Sequence, residues 1–146
     1  MIEYLKIEDK WQGAKLLNEH VKEFSFAKDF DNNIAYYDVL LDNLIKDRTV
    51  IVSKDNNGNI DGTLICARVP MILNPSKMQL HVIVTWVKKD KRGSSIFYRM
   101  NSFLDKEFKN MDKIYYDYHI DNTTNINFEK LGYTKSDTLY VKEQGK

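Results

Sequence analysis

Apolar positions along this chain recur at two spacings, and the changes between them mark out its elements. Ile2, Tyr4, Leu5 and Ile7 predict a first strand over residues 2–7. Trp11, Ala14, Leu17, Val21 and Phe24 then recur every three or four residues and predict a helix, with Asp9 and Gln12 spaced as a capping box. Residues 24–33 mix aromatic and acidic side chains and predict a loop or a short turn. Asn33 is placed to cap a second helix carrying Ile34, Tyr37, Leu40, Leu41, Leu44 and Ile45. Residues 49–53 (TVIVS) read as a strand. Asn56-Asn57-Gly58-Asn59 predicts a hairpin turn, because Asn and Gly accept positive φ, and residues 60–71 return from it. Asn74-Pro75-Ser76 predicts a second turn, and residues 79–87 (QLHVIVTWV) a buried strand. Ile96, Met100, Phe103, Leu104 and Phe108 restore the helical period. Residues 113–119 (KIYYDYH) predict a strand. Ile126, Phe128 and Leu131 predict a short helix ending at Gly132, and residues 133–143 a closing strand around Thr138, Tyr140 and Val141.

That order of elements predicts an α/β (α+β) domain, a mixed sheet with helices on both faces. A length of 146 residues fits one domain, 1–146, with no linker or repeat to divide it. The formal charge of +1 argues against a nucleic-acid binder driven by bulk charge. The single cysteine, Cys66, cannot form an internal disulfide and sits in an apolar run, as a small core residue does. No apolar run approaches the roughly 20 residues of a membrane helix, and MIEYLKIEDK lacks the pattern of a signal peptide; a cytoplasmic protein is expected, with no membrane partner. The three histidines are scattered, and no ligand pair has metal spacing.

The candidate chemistry lies between the strand at 79–87 and the helix after it. Lys88, Lys89, Lys91, Arg92, Gly93, Ser94 and Ser95 connect them. A helix beginning at such a loop presents unpaired N–H groups and the positive end of its dipole, which together make an anion site. Gly93 lets the backbone approach a ligand, and Ser94 or Ser95 can cap the helix. There is no GxxxxGK[ST] and no GxGxxG opening a βαβ unit, so a P-loop and a dinucleotide-binding fold are both disfavoured.

The same stretch resembles motif A of the GNAT superfamily of N-acetyltransferases. There a strand runs into arginine-glycine-x-glycine-x-glycine or alanine and then a helix. Here Val87 ends the strand and Arg92-Gly93-Ser94-Ser95-Ile96-Phe97 fills the loop, with Ser95 and Phe97 at positions where glycine or a small residue is usual. Phe128-Glu129-Lys130-Leu131-Gly132-Tyr133 is similar to the family's tyrosine-glutamate-lysine-leucine-glycine-phenylalanine, followed by Tyr140-Val141-Lys142. Gly62 matches the glycine that opens the family's third strand. The resemblance spans nearly the whole chain. It implies a GNAT-like mixed, mostly antiparallel sheet of six to seven strands, and transfer of an acetyl group from acetyl-CoA to a primary amine.

Such transfer needs the thioester and amine held together, the carbonyl polarised, the amine deprotonated and the thiolate protonated. The resemblance implies that the loop from Arg92 through Gly93, Ser94, Ser95 and Ile96 to Phe97 holds the pyrophosphate of acetyl-CoA. It likewise implies that the backbone at Trp86, Val87 and Lys88 faces the thioester, and that the pantetheine arm enters a gap beside residues 113–119. Asn122 corresponds to an Asn that touches the cofactor. Phe128 stands where the family's acid tyrosine is usual, which leaves Tyr98, Tyr118, Tyr133 and Tyr140 as substitutes; Tyr118 and Tyr140 are carried as catalytic candidates. His119, at the end of its strand, is the candidate base, since imidazole titrates near neutrality; His20 and His81 are less well placed. Asp29 and Asp31 can attract a cationic amine, whether a small molecule or a protein, and a monomer or homodimer is expected. Phe97 and Phe128 also motivate a second reading, a GNAT-fold binding or inhibitory protein without catalysis. A third, nucleic-acid binding through the basic loop and Tyr115, Tyr116 and Tyr118, conflicts with the near-neutral charge.

Overall fold

The computed structural model describes residues 1–24, 34–119 and 122–145. Among them are β1 (Ile2–Tyr4), α1 (Lys10–Val21), α2 (Ile34–Lys46), β2 (Val50–Lys54), β3 (Ile60–Met71), β4 (Asn74–Val87), α3 (Ile96–Glu107) and β5 (Lys113–Tyr116). Single 3-10 turns lie at Ile7–Asp9, Lys89–Lys91 and Glu129–Leu131. The strands form one sheet in the order β1-β2-β3-β4-β5; neighbours are antiparallel except β4 and β5, which run parallel. A parallel pair needs a crossover, and α3 supplies it.

Alternation along the strands feeds two cores. Val50, Val52, Ile60 and Ile65 face α1 and α2, joined by Leu5, Ala14, Leu17, Val21 and Leu41. Ile51, Leu64, Leu80, Val82 and Val87 face α3, which contributes Ile96, Phe97, Met100 and Leu104, with Phe108 just beyond its end. Cys66 lies in this second core, and burial pushes its thiol up to about 12, so it is an inert packing residue. The helices therefore lie on both faces, as predicted. Trp11 departs from its predicted stripe and stays half exposed. The Asp9–Gln12 pair does not cap α1. Asp9 accepts a hydrogen bond from Lys54 Nζ at 2.6 Å and Gln12 Oε1 one from the Ile60 amide at 3.1 Å, so both tie the helix to the sheet.

The sheet has five strands among the described residues, not six to seven. Residues 134–145 make no strand, and Leu139, Tyr140 and Val141 are more than nine-tenths exposed. Three apolar residues flanked by polar ones offer too little burial to offset the ordering of a further strand. The predicted helix around Phe128 is only the 3-10 turn Glu129–Leu131, because Asn125 at φ 61° interrupts the helical path before it. The second turn is Ile72–Leu73 rather than Asn74-Pro75-Ser76, since Met71 pairs directly with Asn74 and Pro75 falls where β4 has no β5 neighbour. The predicted cap Asn33 lies outside the described residues.

Two features of β3 and β4 shape the ground beneath the start of α3. Ile65 pairs with Val84 but Cys66 pairs with Val82, leaving Ile83 as an extra residue, a β-bulge. The ladder to β5 stops at the same place: Val82 is the last β4 partner, and its carbonyl accepts from the Asp117 amide at 3.0 Å. Beyond it β4 runs on to Val87 without β5. Gly62, at the start of β3, lies under the first turns of α3. A Cβ there would stand 2.8 Å from Ile96 Cγ2 and 2.9 Å from Met100 Cε. Gly62→Val is expected to push α3 off the sheet and lower stability by about 1–3 kcal/mol in chemical denaturation, the range for overpacked cores.

Candidate functional site

The chain leaves β4 at Val87, makes the turn Lys89–Lys91 and enters α3 at Ile96. Gly93 has φ 87°, a backbone region that favours glycine, while the space around an added Cβ is open. The glycine is therefore required by the turn rather than by a close neighbour. Ser95 holds the N-cap position without a side-chain bond, and Ser94 Oγ accepts from the Ile96 amide at 3.4 Å. The amides of Ile96, Phe97 and Tyr98 form the helix's first turn and have no carbonyl one turn back. A groove of about 280 Å3 opens over them, walled on one side by Val87, Lys91, Gly93, Ser94, Phe97 and Tyr98 and on the other by Thr124–Asn127. The Phe97 ring is buried and points into the core against Tyr98, Tyr116 and Phe128, so its bulk does not close the groove. Lys91 Nζ pairs with the buried Asp61 carboxylate at 3.1 Å, and that hydrogen bond raises the ammonium's pKa.

Arg92 behaves differently from its neighbours. Its side chain is 9% exposed. Nε donates to the Val87 carbonyl at 2.9 Å, Nη1 to Thr123 Oγ1 at 2.8 Å, and Nη2 to both Glu23 oxygens at 3.0 and 2.8 Å. The guanidinium thus joins three protein segments instead of facing the groove. Asn122 does a similar job one step along. Its Nδ2 donates to the Thr85 carbonyl at 2.9 Å, and its Oδ1 accepts from the Thr124 amide and hydroxyl at 3.0 and 2.6 Å. The far wall of the groove is pinned to the unpaired end of β4 by these two side chains. Trp86 and Lys88 offer backbone there: the Trp86 indole is buried on the α1 side, and the Lys88 amide donates to the Asp61 carbonyl at 2.9 Å.

The titratable candidates sort by strand face. Tyr116 and Tyr118 lean toward α3 and Phe128, while Tyr115 stacks on His81 across the sheet. Tyr118 is half-buried and its hydroxyl donates to the Asn122 carbonyl at 3.2 Å; burial raises its pKa. Tyr98 lines the groove, and its hydroxyl accepts from the Asn127 amide at 3.4 Å. Tyr116 and Tyr133 both donate to Asn101 Oδ1, at 2.7 and 3.4 Å, and burial pushes Tyr133 up to about 12. Phe128 sits at the centre of these rings. Tyr140 lies in the exposed tail, away from every other candidate, and is withdrawn as a catalytic residue. His119 meets Phe24 edge to face at 5.3 Å, and Phe24 meets His20 at 4.8 Å, so the end of α1 packs on the end of the β5 segment. Asp29 and Asp31 lie outside the described residues.

His20 is a buried neutral histidine. Burial lowers its pKa to about 4, with Arg92 adding to the shift and Glu23 opposing it. Its Nδ1 and the Trp86 Nε1 both lack a protein partner, and both residues line a cavity of about 10 Å3, room for one water. The folded pKa lies below the unfolded value near 6.5, so the unfolded chain binds the proton first. The stability this group contributes is complete above pH 6.5 and is lost as pH falls toward 4. His20→Leu is expected to flatten the acid limb in that window when melting temperature is followed against pH.

No protein-family model matches the sequence, and no curated protein does either. Solved structures do match. A ribosomal-protein-alanine N-acetyltransferase from Brucella melitensis biovar Abortus 2308 aligns at TM-score 0.70 and 18% identity, over 98% of this chain and 99% of its own. Glucosamine-6-phosphate N-acetyltransferase from Arabidopsis thaliana aligns at TM-score 0.74 and 18% identity, over 99% and 97%. The chain has the GNAT fold. A protein described as a transcriptional regulator, from Bacillus halodurans C-125, shares this fold at TM-score 0.77 and 16% identity, over 98% of each chain. In this GNAT fold the bulge in β4, the open strand edge and the groove over α3 lie together. Gly93, Ser94 and Phe97 line the groove as the motif resemblance implies, with Ser95 and Ile96 at the adjoining helix start. Sequence reasoning missed its far wall, Thr124–Asn127, for which the one signal was a polar run. It also missed Glu23 and Thr123 as partners of Arg92, which no local pattern announces.

Proposed function

We propose that this protein transfers an acetyl group from acetyl-CoA directly to a primary amine. One observation carries the reading. The groove over the first turn of α3 adjoins the stretch of β4 that has parted from β5, so an anion site and an open strand edge meet. A pyrophosphate fits the amides of Ser95, Ile96, Phe97 and Tyr98, with Lys91 on the rim. The pantetheine arm then follows β4 toward Thr85 and Trp86, where Asn122 gives up its bond to the Thr85 carbonyl in favour of the arm's amide. The thioester comes to lie near the backbone at Trp86–Lys88.

The amine attacks the thioester carbon, the C–S bond breaks, and the thiolate leaves. His119, on the α1 side of the parted strands, accepts the amine's proton. Tyr118, on the groove side, supplies a proton to the thiolate; the burial that raises its pKa keeps the hydroxyl protonated near neutrality. Phe128 holds the Tyr118 ring edge to face at 5.0 Å, filling with packing the place where the family pattern has an acid. The protein is read as acting in the cytoplasm on a small-molecule or protein amine.

The test is acetyl transfer measured as thiol release from acetyl-CoA, across polyamines, aminoglycosides, amino sugars and lysine peptides. Turnover with at least one class is expected. Tight acetyl-CoA binding with no turnover on any class, or on the proteins of a cell lysate, would instead establish the binding-protein reading.

A further inference from the structure

We infer that Arg92 is a positioning residue that sets the donor groove and the catalytic base together, through two different partners. The inference rests on the transferase reading. Arg92 has a planar fork of five N–H donors, and four bonds from its three nitrogens spread over three segments distant in sequence. The bond to Val87 O anchors the fork to the end of β4. The bond to Thr123 Oγ1 fixes the segment that continues into Thr124–Asn127, the far wall of the groove. The paired bonds to Glu23 fix the turn after α1, and the next residue, Phe24, is the ring against which His119 packs at 5.3 Å.

The two arms act on different steps. Loosening Thr123 alters the width of the groove and so the hold on acetyl-CoA. Loosening Glu23 lets Phe24, and with it His119, drift from the acceptor's nitrogen, which affects proton removal once both substrates are bound. Arg92 itself reaches neither substrate; a nearly buried guanidinium with this many bonds is spoken for.

The experiment compares Glu23→Gln, Thr123→Val and Arg92→Lys with the wild type, using acetyl-CoA and whichever amine of the four classes turns over fastest. Melting temperature is recorded for each as a control on folding. Glu23→Gln is expected to lower kcat on the order of 10-fold with the acetyl-CoA KM little changed. Thr123→Val is expected to raise that KM on the order of 10-fold with kcat little changed. Arg92→Lys keeps the charge but loses the fork, so both parameters move. The inference is overturned if Glu23→Gln and Thr123→Val change the same parameter in proportion to their loss of melting temperature, or if neither changes anything. A wild type that turns over no amine removes the transferase reading, and this inference with it.

Discussion

Replacing Arg92 with Glu is expected to lower the melting temperature by about 10 °C before any ligand is added. The native guanidinium is nearly buried and holds the Glu23 carboxylate, Thr123 and the Val87 carbonyl. The substitution removes all of these bonds and sets a second carboxylate beside Glu23. Breaking a buried ion pair while leaving one charge behind costs about 3–5 kcal/mol, and the lower end applies because Glu23 is one-third exposed. In a chain of this size about 3 kcal/mol corresponds to roughly 10 °C. A simple reading from sequence, in which Arg92 faces the anion, predicts a different result: weakened acetyl-CoA binding in a protein of normal stability. Differential scanning calorimetry of the free variant separates the two.

The largest kinetic effect is expected from His119→Ala. Proton transfer by a placed side chain is worth about 10²–10⁴-fold, and loss of the base is expected to cut kcat by at least 100-fold at neutral pH. Melting temperature should change little, because His119 belongs to neither core cluster. Tyr118→Phe should show a smaller loss, because a thiolate is a good leaving group without protonation and the ring's packing on Phe128 is retained. Added small amines that act as bases are expected to restore part of the His119→Ala rate. A variant as active as the wild type would remove His119 from the mechanism.

The parts of the fold legible in the sequence were those where one local pattern decides. The stripe of Ile96, Met100 and Leu104, the Asn-Gly turn after β2 and the alternation of Val50, Ile51 and Val52 each announced a buried face. Gly62 was visible as a motif glycine, and its cause is steric, since α3 sits directly over it. The closing strand misled because β propensity in Leu139–Val141 is a local quantity, whereas a strand needs a partner edge and a core to cover. The site divides along the same line. The loop from Arg92 to Phe97 could be found from residue types, because glycine and serine before an amphipathic helix specify backbone geometry. Arg92's true partners could not, because Glu23 and Thr123 are 69 and 31 positions away. Tyr140 and Tyr118 looked alike on paper; only the sheet's edge places Tyr118 in the aromatic cluster and leaves Tyr140 in solvent.

The central claim is that the groove between Gly93–Tyr98 and Thr124–Asn127 receives the pyrophosphate of acetyl-CoA. Isothermal titration of the wild-type protein with acetyl-CoA, paired with a melting curve at saturating ligand, tests it most directly. One site per chain is predicted, with a melting temperature raised by about 8–10 °C at 100 times the dissociation constant, equivalent to about 2.7 kcal/mol. No heat of binding and no shift at millimolar acetyl-CoA would contradict it.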